Sequence, residues 1–419
     1  MRKEIKKRID QINQGEIPKG YKKTDIGIFP FEWSIETLDR LLDFKNGVNA
    51  DKEKYNSGVK MISVNDILND RPIVYDSIQG QIDIDEETLN VYSVTYGDIL
   101  FQRSSENFED AGKSNVYLDH DKIATYSGFV IRGKKKAEYN PYYVNEALRI
   151  SQVRKQIIRR SAGSQHINVG QEALAAITIP FASLSEQSKI AEILMKWDEA
   201  NELQEKIIEK LYTKRDAIIQ RLIKKKDGWH QVRLSNVLQE RNEYATKDSG
   251  YPHASLTKKG VVLKTDRYNR DFLVKSDDKK YKVTHLNDIC YNPANLKFGV
   301  ICINKCEFDA IFSPIYITYE VSPEYNTDFI GAILSSTNFI QYIRKYEEGT
   351  VYERQAVKSA DFVKGVIWIP DTKDEQDQIA KIILKINNQI QNEIELCELL
   401  KQQRKALQQY LLNGIVRVK

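Results

Sequence analysis

The side chains able to do chemistry in this chain gather in six polar loops. In the first half these are ISVNDILNDR (62–71), FQRSSENFEDAGKSN (101–115) and RRSAGSQHIN (159–168). In the second half they are YPHASLTKKG (251–260), YNPANLKFG (291–299) and EEGTVYERQAVK (347–358). Arg, Lys, Asn, Gln and Ser at this density supply the donors and acceptors that read base edges in a major groove, and the cations neutralise phosphates. The candidate contacts in the first half are Ser63, Asn65, Asp66, Arg103, Ser104, Ser105, Lys113, Ser164, Gln165 and His166. Those in the second are Ser255, Thr257, Lys258, Lys259, Asn292, Asn295, Lys297, Thr350, Tyr352, Arg354 and Gln355. Any one of them reads equally well as a solvated turn residue; the collective pattern is the signal.

Catalytic spacings are missing. Gly112-Lys113-Ser114 has the end of a phosphate-binding loop, but Asn107 stands where the first glycine belongs. Asn292-Pro293-Ala294-Asn295 lacks the second proline and the aromatic of an amino-methyltransferase motif, and no glycine-rich cofactor loop follows a strand. Pro370-Asp371 leads into a helix rather than to an acid-x-Lys strand, so a nuclease centre is not formed. His120, His166, His230, His253 and His285 are scattered, with no His-Glu-x-x-His pair, and no serine sits in a Gly-x-Ser-x-Gly elbow.

The bulk properties agree with a binding protein. The chain has 419 residues, enough for two or three domains, with 41% hydrophobic and 29% charged residues. Its net charge of +4 permits nucleic-acid binding without requiring it. Cys290, Cys302, Cys306 and Cys397 are few, and no second Cys/His pair accompanies Cys302 and Cys306, so no metal site is expected. No apolar run approaches the roughly 20 residues of a membrane span. The opening MRKEIKKRIDQINQ lacks the apolar core of a secretory signal, and a cytoplasmic location is expected.

The elements that must position the loops come in two copies. FEWSIETLDRLLDFKNG (31–47) and DGWHQVRLSNVLQERNE (227–243) place Trp33 and Trp229 at matching positions. VTYGDILFQ (94–102) matches VTHLNDICYN (283–292), and each half ends a strand at Ile-Pro, Ile179-Pro180 and Ile369-Pro370. A helix then starts with the same words, SLSEQSKIAEIL (183–194) and TKDEQDQIAKIIL (372–384). Ser185 and Asp374 are the expected N-caps, with Glu186 and Glu375 at the positive end of the helix dipole.

Both helices run without Pro or Gly, from about Ser185 to Ile223 and from Asp374 to Asn413, on the order of 60 Å each at 1.5 Å per residue. Ile190, Leu194, Trp197, Leu211 and Ile218 form one apolar stripe; Ile379, Ile383, Ile386, Ile390, Leu400 and Leu407 form the other, with Arg404 in a seam position. Leu203 and Ile207 continue the first stripe by spacing. Matched length and period favour an antiparallel pair over two separate caps.

With these residues in view, the chain resembles the specificity subunit of type I restriction–modification systems over nearly its whole length. The resemblance rests on GEIPKGYKKTDIGIFPFEW (15–33), GSQHINVGQEALAAITIPFASLSEQSKIAEIL (163–194) and RKALQQYLLNGIVRVK (404–419). It implies an α+β fold with an internal pseudo-two-fold repeat. Two globular α/β target recognition domains with mixed β-sheet cores (31–183 and 227–372) would be separated by two long helices (184–226 and 373–419) forming an antiparallel coiled coil. Residues 1–30 would pack near the C-terminal end. Each domain would read half of a bipartite site in double-stranded DNA, and the helices would set the gap and dock two modification (methyltransferase) subunits. Restriction subunits would complete the complex, and S-adenosylmethionine, ATP and Mg would be bound by partners rather than by this chain. The other readings are an orphan or decayed specificity subunit acting in assembly, and a combined methyltransferase–nuclease.

Overall fold

A computed structural model describes residues 3–49, 51–246, 249–257, 260–263, 280–349 and 355–418. It divides into two units, Met1–Leu203 with Cys397–Lys419, and Gln204–Leu396. Each long helix, Leu184–Leu222 and Lys373–Leu412, contributes one end to each unit. No helix among the described residues is long and apolar enough to cross a membrane.

The internal repeat is visible strand by strand. In the first unit a four-stranded antiparallel sheet runs in the order Leu42–Asn46, Val130–Lys135, Ile99–Gln102, Ser114–Val116. In the second the order Leu238–Glu240, Ile317–Val321, Ile289–Tyr291, Ile301–Ile303 is the same plan. Parallel pairing among the described residues is local. In the first unit Met61 and Ile62 pair with Thr125 and Tyr126, and isolated bridges join Val48 to Ser127 and Ile73 to Tyr117. In the second, His253 bridges to Ile311. The sheets are therefore mixed only at these places.

A buried aspartate begins the matched central strand in both units. Asp98 accepts from the Thr95 amide at 3.0 Å, and Asp288 accepts from the His285 amide at 2.8 Å. Both are almost fully buried, which is tolerable because each carboxylate is held by several donors. Asp98 also receives the Lys135 amide, whereas Asp288 takes a two-nitrogen grip from Arg241.

The repeated words at the helix starts turn out to be a docking device. Glu186 accepts from the Trp33 indole at 2.9 Å, and Glu375 accepts from the Trp229 indole at 3.2 Å. Gln187 accepts the Asn140 amide at 2.9 Å, and Gln376 accepts the Asn326 amide at 3.0 Å. Asn140 and Asn326 are themselves N-caps of the helices Pro141–Leu148 and Thr327–Ser335. Ile190, Ala191 and Leu194 in one unit, and Ile379, Ala380 and Ile383 in the other, bury the apolar remainder. The strand before each helix pairs with the tryptophan strand, Thr178–Phe181 with Ser34–Thr37 and Val366–Pro370 with Trp229–Arg233.

Two sequence expectations change here. The caps lie two residues earlier than read: they are Ser183 and Thr372, whose hydroxyls face the Glu186 and Glu375 amides at 3.4 Å, and not Ser185 and Asp374. The first stripe also slips at its centre. Leu203 and Ile207 are exposed, while Gln204 is buried and donates to the Glu393 carbonyl and carboxylate. A polar seam residue matched to a polar partner takes the place that spacing assigned to leucine.

The helices run antiparallel within each unit. In the first, Asp198 meets Arg404 and Glu186 meets Arg417; in the second, Gln204 meets Glu393 and Ile219 joins the core holding Ile379 and Ile383. Among the stripe residues Ile190, Leu194, Ile379, Ile383 and Ile390 are buried; Trp197, Leu211, Ile218, Ile386, Leu400 and Leu407 are half-buried. Arg404 bonds Glu146 at 2.7 Å, Asp198 at 2.8 Å and the Tyr142 hydroxyl at 2.9 Å, tying a seam position to the globular part. Near the chain ends, Arg8 and Tyr21 donate to the carbonyls of Ile415 and Gly414, and Arg417 pairs with Glu32 at 2.8 Å.

Replacing Gln187 or Gln376 by Ala leaves a half-buried amide without its acceptor. Each variant should lose about 1–3 kcal/mol in chemical denaturation, the cost of an unsatisfied buried donor. His285 supplies a pH test, lying between Asp309 at 2.7 Å and Glu243 at 2.8 Å. Burial lowers its pKa, but the two carboxylate hydrogen bonds outweigh that and leave it above the ordinary value. Its contribution is complete below about pH 6.5, the unfolded value, and fades as pH rises through the folded value. Wild type should therefore lose stability relative to His285→Gln on going from pH 6 to pH 8.5, read by denaturant midpoints.

Candidate nucleic-acid interface

In the first unit, main-chain hydrogen bonds gather loops far apart in sequence along one edge of the fold, at the ends of the central strands Ile99–Gln102 and Val130–Lys135. The Ser127 amide donates to Ile62 at 3.0 Å, and the Val48 amide donates to Tyr126 at 3.0 Å. The Arg103 amide donates to Phe129 at 2.9 Å, and the Val169 amide donates to Arg103 at 3.0 Å. Ser104 and Ser105 pair as a short strand with Asn168 and Ile167. Residues 63–65, 103–105, 127–129 and 164–168 are thus neighbours, whereas the sequence shows only separate polar stretches.

Within this edge the candidates divide by what their polar atoms already do. Ser63 caps the short helix Val64–Ile67 and donates to Asp66 at 2.7 Å through both its amide and its hydroxyl. Ser105 is buried and donates to the Asn107 carbonyl at 2.6 Å. Ser104 donates to Asn168, and Lys113 is paired with Asp110 at 2.6 Å. Arg103 is half-buried, with a guanidinium nitrogen 3.4 Å from the Gly128 carbonyl. Asn65, Ser164, Gln165 and His166 are exposed.

Sequence reasoning missed the side chains that hold this edge in place. Buried Asn115 donates to the carbonyls of Asp66, Asn69 and Arg71, fixing the first loop from behind. Arg154 does the same for the second, donating to the carbonyls of Glu109, Ala111 and Gly112. A lone Asn in a strand or Arg in a helix carries no local mark of such a role. Arg159 and Arg160, exposed in the last turn of the helix Ser151–Arg160, add positive charge just before the 161–168 loop.

The second unit builds its edge from the equivalent places. Tyr291 donates its hydroxyl to the Val357 carbonyl at 3.1 Å, and the Val357 amide donates to Pro293 at 3.3 Å. These bonds bring the 292–299 and 355–357 loops together. Asn292 is buried, its side-chain oxygen accepting the Ala294 amide, and so shapes the turn. Asn295 is exposed, and the Lys297 ammonium lies 5.3 Å over the exposed Phe298 ring. Ser255 and Thr257 lie on the strand Ala254–Thr257, where the Thr257 hydroxyl donates to Gly260. Gln355 donates to the Gly349 carbonyl at 3.4 Å. Lys258, Lys259, Thr350, Tyr352 and Arg354 lie outside the described residues.

Comparison with known proteins follows the same lines. Residues 30–213 match the family described as Type I restriction modification DNA specificity domain. The chain is 24% identical over 444 positions to a Methanocaldococcus jannaschii protein described as the MjaX type I restriction enzyme specificity subunit, covering 96% of this chain and 97% of that one. A chain from a solved structure on complex assembly and conformational transition of the type I R-M system shares the fold at TM-score 0.58. Its identity is 12%, with 93% of this chain and 99% of that one covered. The crystal structure of the type I restriction-modification S subunit from M. genitalium aligns at TM-score 0.48 and 15% identity, over 91% of this chain and 96% of that one.

The division of labour along the edge can be measured without any ligand. Ser63→Ala should cost about 1 kcal/mol through loss of the cap. Asn65→Ala should stay within about 0.5 kcal/mol of wild type, as an exposed surface change. Urea denaturation of both variants checks the assignment.

Proposed function

We propose that the chain, similar over part of its length to the DNA specificity domain and over nearly all of it to a type I restriction enzyme specificity subunit, is such a subunit, and that each unit reads one half of a bipartite site in double-stranded DNA. The observation that carries this reading is one sheet frame built twice with different polar loops on the same edge. A conserved frame with divergent loops suits two unlike recognition tasks. In this reading Asn65, Gln165, His166 and Asn295, all exposed, meet base edges, and the exposed Arg159 and Arg160 meet phosphates.

Specificity subunits are the non-catalytic members of these systems; they assemble with methyltransferase and restriction subunits. Two modification subunits dock on the paired helices in this reading. Met195, Leu203 and Leu399 in the first unit, and Ile207, Ile382 and Leu396 in the second, leave apolar surface on those helices. S-adenosylmethionine, ATP and Mg are held by the partners, and the complex works in the cytoplasm.

Linking two weak half-site readers makes the second contact intramolecular, so selective binding needs both. The test is methylation mapping of adenines in a host carrying the complex. Removing seven residues from each long helix should shorten the gap between half-sites and leave the bases read unchanged. Exchanging residues 31–183 for those of another specificity subunit should change one half-site only. A variant with altered bases and an unaltered gap after helix shortening would defeat the reading.

A further inference from the structure

Outside the polar loops, the two units share one exposed apolar feature. In the first unit Ala124-Thr125-Tyr126-Ser127-Gly128-Phe129-Val130 leads into the strand Val130–Lys135; in the second Ala310-Ile311-Phe312-Ser313-Pro314-Ile315-Tyr316 leads into Ile317–Val321. The two turns close with the same hydrogen bond, Val130 amide to Ser127 at 2.9 Å and Tyr316 amide to Ser313 at 3.0 Å. Serine at the first position, with Gly or Pro at the second, suits a tight turn of this kind. The third residue of each turn is a large hydrocarbon side chain left in water: Phe129 is 66% exposed and Ile315 60%.

A single exposed apolar residue needs no explanation. Two at one position of a duplicated frame do, because the polar loops beside them have diverged. Folding does not call for either, since neither belongs to a core cluster. Both stand inside the edge that gathers the polar candidates. Gln102 pairs with Val130, so Phe129 lies beside Arg103, whose amide donates to its carbonyl. Tyr291 pairs with Ile317, so the turn carrying Ile315 leads into the strand paired with Tyr291, the residue that precedes Asn292.

We propose that Phe129 and Ile315 are base-reading residues, one for each half-site, each making the apolar contact to a thymine methyl that the surrounding Arg, Asn, Gln and Ser cannot make. The C5-methyl of thymine is the one apolar group that a base edge presents in the major groove, and Phe is among the side chains that meet it. An exposed hydrocarbon amid hydrogen-bonding groups is therefore matched to an A·T pair flanked by polar readout. The inference rests on the DNA-reading function proposed above and adds residues and a base to it.

The experiment uses the chain assembled with its modification subunits, and duplexes carrying the site mapped by adenine methylation. Binding is measured by fluorescence anisotropy for wild type, Phe129→Ala and Ile315→Ala. The duplexes carry thymine or deoxyuridine in one half-site at a time. Each variant should bind the site about tenfold more weakly, the scale of one lost base contact, with unchanged binding to unrelated DNA. Phe129→Ala should lose its response to deoxyuridine in one half-site only, and Ile315→Ala in the other only. Equal affinity of variants and wild type for the site overturns the inference, as does a deoxyuridine response that persists in both variants. A defect seen in subunit assembly instead of DNA binding also overturns it, assigning the turns to a protein contact. If wild type itself shows no sequence-selective binding, the DNA-reading function fails rather than this assignment within it.

Discussion

The structure depends on a contact made twice, in which two adjacent polar residues at a helix start grip a globular unit. Glu186 and Glu375 hold tryptophan indoles, and Gln187 and Gln376 hold the amides of helix-capping asparagines. Each pair satisfies donors that would otherwise be stranded in apolar surroundings, and a stranded donor costs more than a made hydrogen bond returns. The direction of each helix out of its unit is thereby set by hydrogen-bond geometry as well as by packing. Glu186 is held further by Arg417 near the chain end. Burial raises its pKa, but the bonds from Arg417 and Trp33 outweigh that and keep it below the ordinary carboxylate range.

A second constraint acts along the helices. Their seam is not a uniform apolar stripe: Gln204 with Glu393, and Arg404 with Asp198 and Glu146, interrupt it. Buried polar positions of this kind fix register, because a slip by one turn leaves a charge or an amide without its partner. If the helices set the distance between two half-sites, as proposed, a fixed register matters more than the stability that leucine would add.

The loops are free to vary because the frame behind them is closed. Asn115 and Arg154 hold loop carbonyls from the buried side, leaving Asn65, Gln165 and His166 facing solvent. The same division explains why several polar residues with the right chemistry, such as Ser63, Ser105 and Asn292, spend it on their own turns. Local hydrogen bonding competes with recognition for every short polar side chain.

What could be read from the chain alone follows from periodicity and repetition. The duplication and the two long helices lay in words that recur, since 3.6-residue spacing and matched motifs survive without knowledge of contacts. The seam at Leu203 and Ile207 and the caps at Ser185 and Asp374 were misplaced because spacing cannot tell which of two adjacent faces meets a neighbour, or which of two cap-competent residues begins the turn. Only the tertiary structure decided that Glu186 and Gln187 serve as acceptors for another element, that four separate loops share one edge, and that Phe129 and Ile315 occupy one place in two units. These facts depend on which strands pair and in what register, and pairing between distant segments leaves no periodic trace in the residues themselves.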